Sequence, residues 1–478
     1  MRRNRTATLL TLTAALACGD GPGPGADYVL TISAGDAQTD TIGKTLPIAY
    51  AVKVTDAASA VQPGVTVSWS VTAGGGSITV SSSTDANGIA TAIRTLGTGA
   101  GTATARAQVG NASVTFTATA LPTAGAVLVT SLPIPQNYGI HDQFVRDGLA
   151  FVCAWNTGVL IYDVGNGIKG GTPGNPVLVD SVTTAGGEVH NAWWFHNPVT
   201  SEKKYLFIGQ EGPGTIGAAS SGDIHVVDVS NLNNIQEVAS FHLAGAGTHN
   251  FWVDEANRIL YAAYYNGGVV AIDVSGALSG DISSRMIDTL SFGAGNSYTW
   301  GVQLYNGSLY ASDMLSGFWQ LDPTGAQLTV AAGGNNVPER FGSDLWVANG
   351  YAYTGTWGFR GGNYGNAVKI WQLGAGGAPT LVDSIVTPNI VTVSDLEVSD
   401  DGKLLMFSTE NGPNSGFWLY RLTDPAHPTF AGNYIVTTPS SGIHTATFAR
   451  IGGKLYAFGA KDPSGAALII LDVTSLDQ

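Results

Sequence analysis

The chain has 478 residues, of which only 12 % are charged, with 64 glycines and 35 acidic against 21 basic side chains. That length exceeds one ordinary core, and the glycine content fits a turn-rich, exported all-β protein of two or more domains. The acidic balance excludes general phosphate-backbone binding, which needs a basic footprint, so no nucleic-acid partner is expected.

The N-terminus carries Arg2, Arg3 and Arg5, an apolar stretch from Ala7 to Ala17, and then Cys18. This reads as an export signal, too short for a membrane span of about 20 apolar residues. The run Ala15-Leu16-Ala17-Cys18 resembles the lipobox of bacterial lipoproteins, although Leu is more usual where Ala15 stands. The resemblance implies a signal peptide over 1–18, a lipid on Cys18, and anchoring in the cell envelope, at the outer membrane or cell surface of a bacterium. Ordinary cleavage near Ala17 is the alternative. With Cys18 lipidated only Cys153 remains, so no intramolecular disulfide forms. Its setting, Ala150 to Trp155, is an apolar strand that suits a buried, inert thiol. Residues 19–26 (GDGPGPGA) form a Gly/Pro tether.

From 27 to 120 the composition turns to Thr, Val, Ala and Gly. Alternation places Val65, Val67, Trp69 and Val71 on one face of a strand, as half of a β-sandwich requires. Pro63-Gly64-Val65, Trp69, Gly74 to Ser77, Thr84 to Ala90 and Leu96-Gly97 together resemble the bacterial immunoglobulin-like domains of the invasin and intimin group. The resemblance implies a rigid stalk or spacer, sometimes part of an adhesin. Asp85-Ala86-Asn87-Gly88, like Asp400-Asp401-Gly402 further on, lacks the later acidic positions of a calcium loop and reads as a hairpin turn.

Residues 121–125 (LPTAG) are the expected linker, and a repeat fills 126–478. Its units start at His141-Asp142, His190-Asn191, His249-Asn250, Thr299-Trp300, Ser343-Asp344, Ser394-Asp395 and His444-Thr445, spaced 44 to 59 residues apart. Within Thr248 to Ser275, three β-branched and aromatic runs are separated by polar turns, including Asn266-Gly267-Gly268, as consecutive antiparallel strands are. Seven such units predict a β-propeller, most simply of seven blades. The last unit lacks a fourth strand, and the orphan run Ala126 to Leu132 should supply it and close the ring. The third-strand ends, such as Val226 to Val229, Ala271 to Val274 and Leu468 to Val473, and the Val-Asp-Ser runs at 179–181 and 382–384 resemble the LVIVD repeats of cell-surface propellers. Gln372 and Arg421 depart from that pattern. The resemblance implies a scaffold outside the cell and no particular reaction.

Four of the eight histidines, His141, His190, His249 and His444, hold one aligned position in four neighbouring blades at the channel mouth. Asp142, Asn191 and Asn250 follow them, with Asp344 and Asp395 across the ring. Neutral imidazoles with carboxylates suit a divalent metal at the channel, and carotenoid-cleaving oxygenases are similar in this one respect. The other reading gives each blade its own hydrogen bond from that position, as Thr299, Ser343 and Ser394 suggest. Whether the four imidazoles meet at one ion or each serve their own blade is the open question. The loops between second and third strands should open on the same face and bring Glu211, Tyr264, Tyr265, Trp357 and Glu410, a set suited to a sugar or peptide. No Gly-x-Ser-x-Gly elbow, phosphate loop or dinucleotide fingerprint stands in a strand-to-helix setting, so catalysis is left open. The expected function is a membrane-anchored envelope binding or adhesion protein whose propeller recognises an extracellular glycan, peptide or protein. The alternative is a metal-dependent envelope enzyme using the His ring.

Overall fold

A computed structural model describes residues 27–477 except 42, 98–100, 122–124, 135–138, 293–295, 325–326, 375–377 and 437–440. The expected export signal, Cys18, the tether and most of the 121–125 linker lie outside the described residues. The chain divides into two compact units, Met1–Thr123 and Ala124–Gln478.

The first unit packs two sheets face to face. One holds Tyr28–Ala34, Tyr50–Asp56 and Ile89–Ala92. The other is ordered Gln38–Thr41, Ala112–Leu121, Gly101–Val109, Thr66–Ala73, Ser81–Ser83. Alternation drives this pairing, because Val65, Val67 and Trp69 are buried among residues of both sheets while Thr66, Ser68 and Ser70 face out. Tyr50 stacks on Phe116 with ring centroids 4.3 Å apart, and the Trp69 indole donates to Ser82 Oγ at 3.0 Å. Asp85 Oδ1 accepts the N–H groups of Asn87 and Ile89, so that run is indeed a turn.

The second unit is a β-propeller. Its sheets begin with the inner strands Asp142–Arg146, Val189–Phe195, Phe251–Asp254, Thr299–Tyr305, Phe341–Ala348, Thr392–Val398 and Ile443–Ile451. Each inner strand pairs antiparallel with the next, and a second and third pairing follow outward. The second and third strands of each sheet bury side chains on both faces, so an apolar core forms between each sheet and its neighbour. The last of these cores joins Phe458, Leu468 and Ile470 to Val152, Leu160 and Tyr162, which returns the ring to its start. The orphan run supplies the outer strand there: Val127–Pro133 pairs antiparallel with Ala467–Asp472. Cys153 is fully buried, and burial holds its thiol well above the usual range.

Tight turns need glycine at particular points. Gly268 sits at φ +81°, and a Cβ there would lie 2.1 Å from the Leu290 carbonyl oxygen, so no other residue fits this hairpin unstrained.

Candidate functional site

In an antiparallel pair the second strand ends beside the start of the first, so inner-strand starts and the loops after the second strands share one end of the channel. Six aromatic rings close a collar at that end. His444, His141, His190 and His249 follow one another with centroids 4.2, 4.2 and 4.1 Å apart. Trp300 continues the series 4.1 Å from His249, Trp357 lies 4.8 Å from Trp300, and 6.0 Å from Trp357 to His444 completes the circuit. The imidazoles are therefore close together, with neighbouring ring centroids 4.1 to 4.2 Å apart.

The four histidines divide by partner. His249 Nδ1 donates to the Trp300 carbonyl at 2.6 Å, a bond to the next inner strand, as Ser343 Oγ makes to the Val393 carbonyl at 2.6 Å. Here the one-bond-per-blade expectation holds. His141 Nε2 instead faces Glu211 Oε2 at 3.1 Å, and His190 Nε2 lies 3.9 Å from the same oxygen. His444 Nδ1 pairs with Glu410 Oε1 at 2.6 Å, and the Ser394 hydroxyl donates to that oxygen too. Tyr265 donates its hydroxyl to Glu211 Oε1.

Charge follows from these contacts. Burial pushes His141, His190 and His249 well below the usual histidine range, and the neighbouring imidazoles of the collar add to this. Burial also pulls on His444, but Glu410, Asp462 and Glu211 outweigh it and raise it to about 10. One imidazolium thus stands beside three neutral imidazoles. Among the described residues, both ring nitrogens of His190, Nδ1 of His141 and Nε2 of His249 are buried with no partner at hydrogen-bonding geometry.

Asp142, Asn191, Asn250, Asp344 and Asp395 do not join the collar. They lie one step further along the inner strands and line the channel below it, a cavity of about 230 Å³. Asp344 and Asp395 hydrogen-bond to each other; burial raises Asp344 to about 6 and, with the Asp344 charge beside it, Asp395 well above the usual carboxylate range. Burial and Asp395 lift Asp142 to about 7. Below them Glu397 accepts the Phe448 N–H at 3.0 Å, and burial raises it to about 8. Trp252 stands 5.4 Å from Trp193 and 5.9 Å from Trp346 on the same wall.

Tyr264 and Tyr265 are corrected by the structure: both are buried rather than presented on the loop face. Tyr264 packs in the core between the second and third sheets and donates to the Gly222 carbonyl at 3.1 Å. Glu211 and Glu410, expected as surface contacts, turn inward to the histidines. Trp357 fills the gap in the collar where the fifth unit has Ser343. Sequence reasoning missed Trp300, Glu397 and the channel tryptophans. A signal existed for the last, since Phe144, Trp193, Trp252 and Trp346 all stand three residues past their aligned starts. It also missed a small hairpin, Phe359–Arg360 with Asn363–Tyr364, whose aromatic rings are 58 % and 52 % exposed.

No protein-family model and no curated protein sequence matches the chain. Among solved structures, the WD40 β-propeller domain of Doa1 aligns with 72 % of this chain and 97 % of its own, at a TM-score of 0.49 and 9 % identity.

Proposed function

We propose that the chain is an exported, lipid-anchored envelope protein in which an immunoglobulin-like spacer of the invasin type precedes a seven-bladed, LVIVD-type propeller that binds an extracellular glycan, peptide or protein. Seven sheets and seven inter-sheet cores support the blade count. The observation that carries the binding role is the exposed aromatic hairpin. Phe359 and Tyr364 pack 5.2 Å apart at the loop face, beside the half-buried Trp357. Arg360, between them in the hairpin, donates to the Leu315 and Arg340 carbonyls at 3.0 and 3.1 Å, which holds the rings outward on a fixed base. Large aromatics kept in water on an anchored turn suit the stacking face of a sugar or an apolar peptide side chain.

Glycan and peptide arrays probed with the folded protein test this. A ligand whose binding falls at least about tenfold in the Phe359→Ala, Tyr364→Ala double variant is expected, the loss of two aromatic anchors being worth ~1.4 kcal/mol or more. Failure to find any ligand, or a ligand indifferent to both substitutions, sinks the reading. For the anchor, Cys18→Ala should release the protein from the membrane fraction; retention there would refute it. A metal-dependent envelope enzyme is the second reading, favoured by the convergence of His141, His190 and Glu211.

A further inference from the structure

We propose that His141, His190 and Glu211 bind one divalent transition-metal ion of the zinc class at the mouth of the channel. One ligand atom from each residue lies within 4.8 Å of the other two, and all three residues are buried. In a tetrahedral site with metal–ligand distances near 2.1 Å, ligand atoms stand roughly 3.4 Å apart. The separations of 3.1 and 3.9 Å from Glu211 Oε2 to the two Nε2 atoms bracket that spacing.

His190 carries the argument furthest. Its side chain is fully buried, and among the described residues neither ring nitrogen meets a partner at hydrogen-bonding geometry, its polar neighbours being Glu211 and the Asn191 side chain. Buried polar groups are nearly always satisfied, and an imidazole lodged beside a carboxylate at 3.9 Å has the geometry of a ligand without its ion. The Tyr265 hydroxyl holds Glu211 by Oε1 and leaves Oε2 turned toward the histidines, the outer-shell arrangement that orients a carboxylate ligand. Next in the collar, His249 keeps its proton on Nδ1 for the Trp300 carbonyl, so the lone pair on Nε2 can serve as a fourth ligand or accept a hydrogen bond from a metal-bound water.

Two imidazoles and one carboxylate select against calcium and magnesium, which prefer all-oxygen shells, and suit zinc, cobalt, nickel or copper. The second group of three, Glu410, His444 and Asp462, is the weaker candidate, because His444 Nδ1 is already committed to Glu410 at 2.6 Å. The site does not depend on the aromatic hairpin, so loss of the array ligand leaves it standing.

The test is titration of chelator-stripped protein with zinc chloride and with cobalt chloride, followed by calorimetry and by the visible absorption of bound cobalt. One equivalent per chain is expected, with strong absorption bands of a four-coordinate cobalt site. Glu211→Gln and His190→Gln should each weaken binding at least about a hundredfold, and Tyr265→Phe about ten- to a hundredfold, with circular dichroism unchanged. Should His190→Gln fail to fold, Glu211→Gln and Tyr265→Phe decide the matter. Absence of stoichiometric binding by the folded wild-type protein, or equal affinity in the folded variants, overturns the proposal.

Discussion

Asp163 anchors the loop after its strand by charge rather than by packing. Its Oδ1 accepts the N–H groups of Gly165, Asn166 and Gly167, and its Oδ2 those of Lys169 and Gly171, at 2.8 to 3.2 Å. Burial alone would raise this carboxyl, but the backbone donors prevail and hold it near 2. Asp163→Ala leaves five donors unmet, and a loss of roughly 2–3 kcal/mol is expected, the scale for hydrogen bonds to a charged group. The sign with pH follows, since the folded value lies below the unfolded one near 3.9. This stabilisation is present above about pH 4 and lost as pH falls toward 2, so urea unfolding of wild type and variant should converge in acid. A gap that persists at pH 2 would show that packing, not charge, is at work. The same position was legible as the last letter of the repeat, and the structure supplies its reason. Asp228, Asp273, Asp322 and Asp472 each accept the N–H two residues on, closing the turn that leaves the third strand. Where Gln372 and Arg421 replace it, Leu373 and Leu422 still donate to the Gly350 and Lys403 carbonyls, so the third strand keeps its tie to the start of the second without the aspartate.

Strand order was readable because each sheet repeats the same apolar runs, and closure was readable because one run had no partner. Val127–Pro133 meets that need through six paired residues on Ala467–Asp472. Much of it is exposed, so its contribution is mainly the backbone ladder it completes. Deleting residues 127–133 from the full chain should cost roughly 3–6 kcal/mol, at about 1 kcal/mol per hydrogen bond. The uncovered edge should then promote self-association, measurable by light scattering, and a monomeric deletion variant of unchanged melting temperature would contradict this account. Strand direction also explains what sequence could not show. Successive side chains on a strand face opposite ways, so the residues after His141, His190 and His249 leave the collar and enter the channel. Tyr264 was misplaced for a related reason. Its N–H bonds to the Gly268 carbonyl at 2.7 Å, and Tyr265 bridges to Thr299 of the next sheet, so the hairpin extends past the apolar run that marked its end.

At the scale of the ring, inner strands from separate sheets bring together acids that no local motif connects. Asp142, Asp344 and Asp395 share one aligned position of the repeat, which placed them around the ring in the sequence, whereas Glu397, two residues past Asp395 on the same strand, stands outside that position and was not legible. Glu397 is the most informative of them. The Phe448 N–H and the Thr447 side chain bond to it, while Asp395 and Asp142 face it with like charge. Among the described residues no basic side chain lines this cavity. Burial comes first and the neighbouring carboxylates add to it, raising the group to about 8 against roughly 4.5 in the unfolded chain. A raised carboxyl contributes stability that is fully present below the unfolded value and lost as pH climbs through the folded one. The ligand-free protein should therefore give up part of its stability between about pH 5 and 8. Glu397→Gln keeps a hydrogen-bonding group of the same shape that cannot ionise, so its stability relative to wild type should rise across that window. One pKa unit corresponds to about 1.4 kcal/mol, and water in the channel screens part of the charge. A relative gain of at least about 1 kcal/mol at pH 8 over pH 5 is the expected result in paired denaturant titrations. Parallel pH profiles for the two proteins would mean that Glu397 ionises freely and that the channel is as wet as the surface.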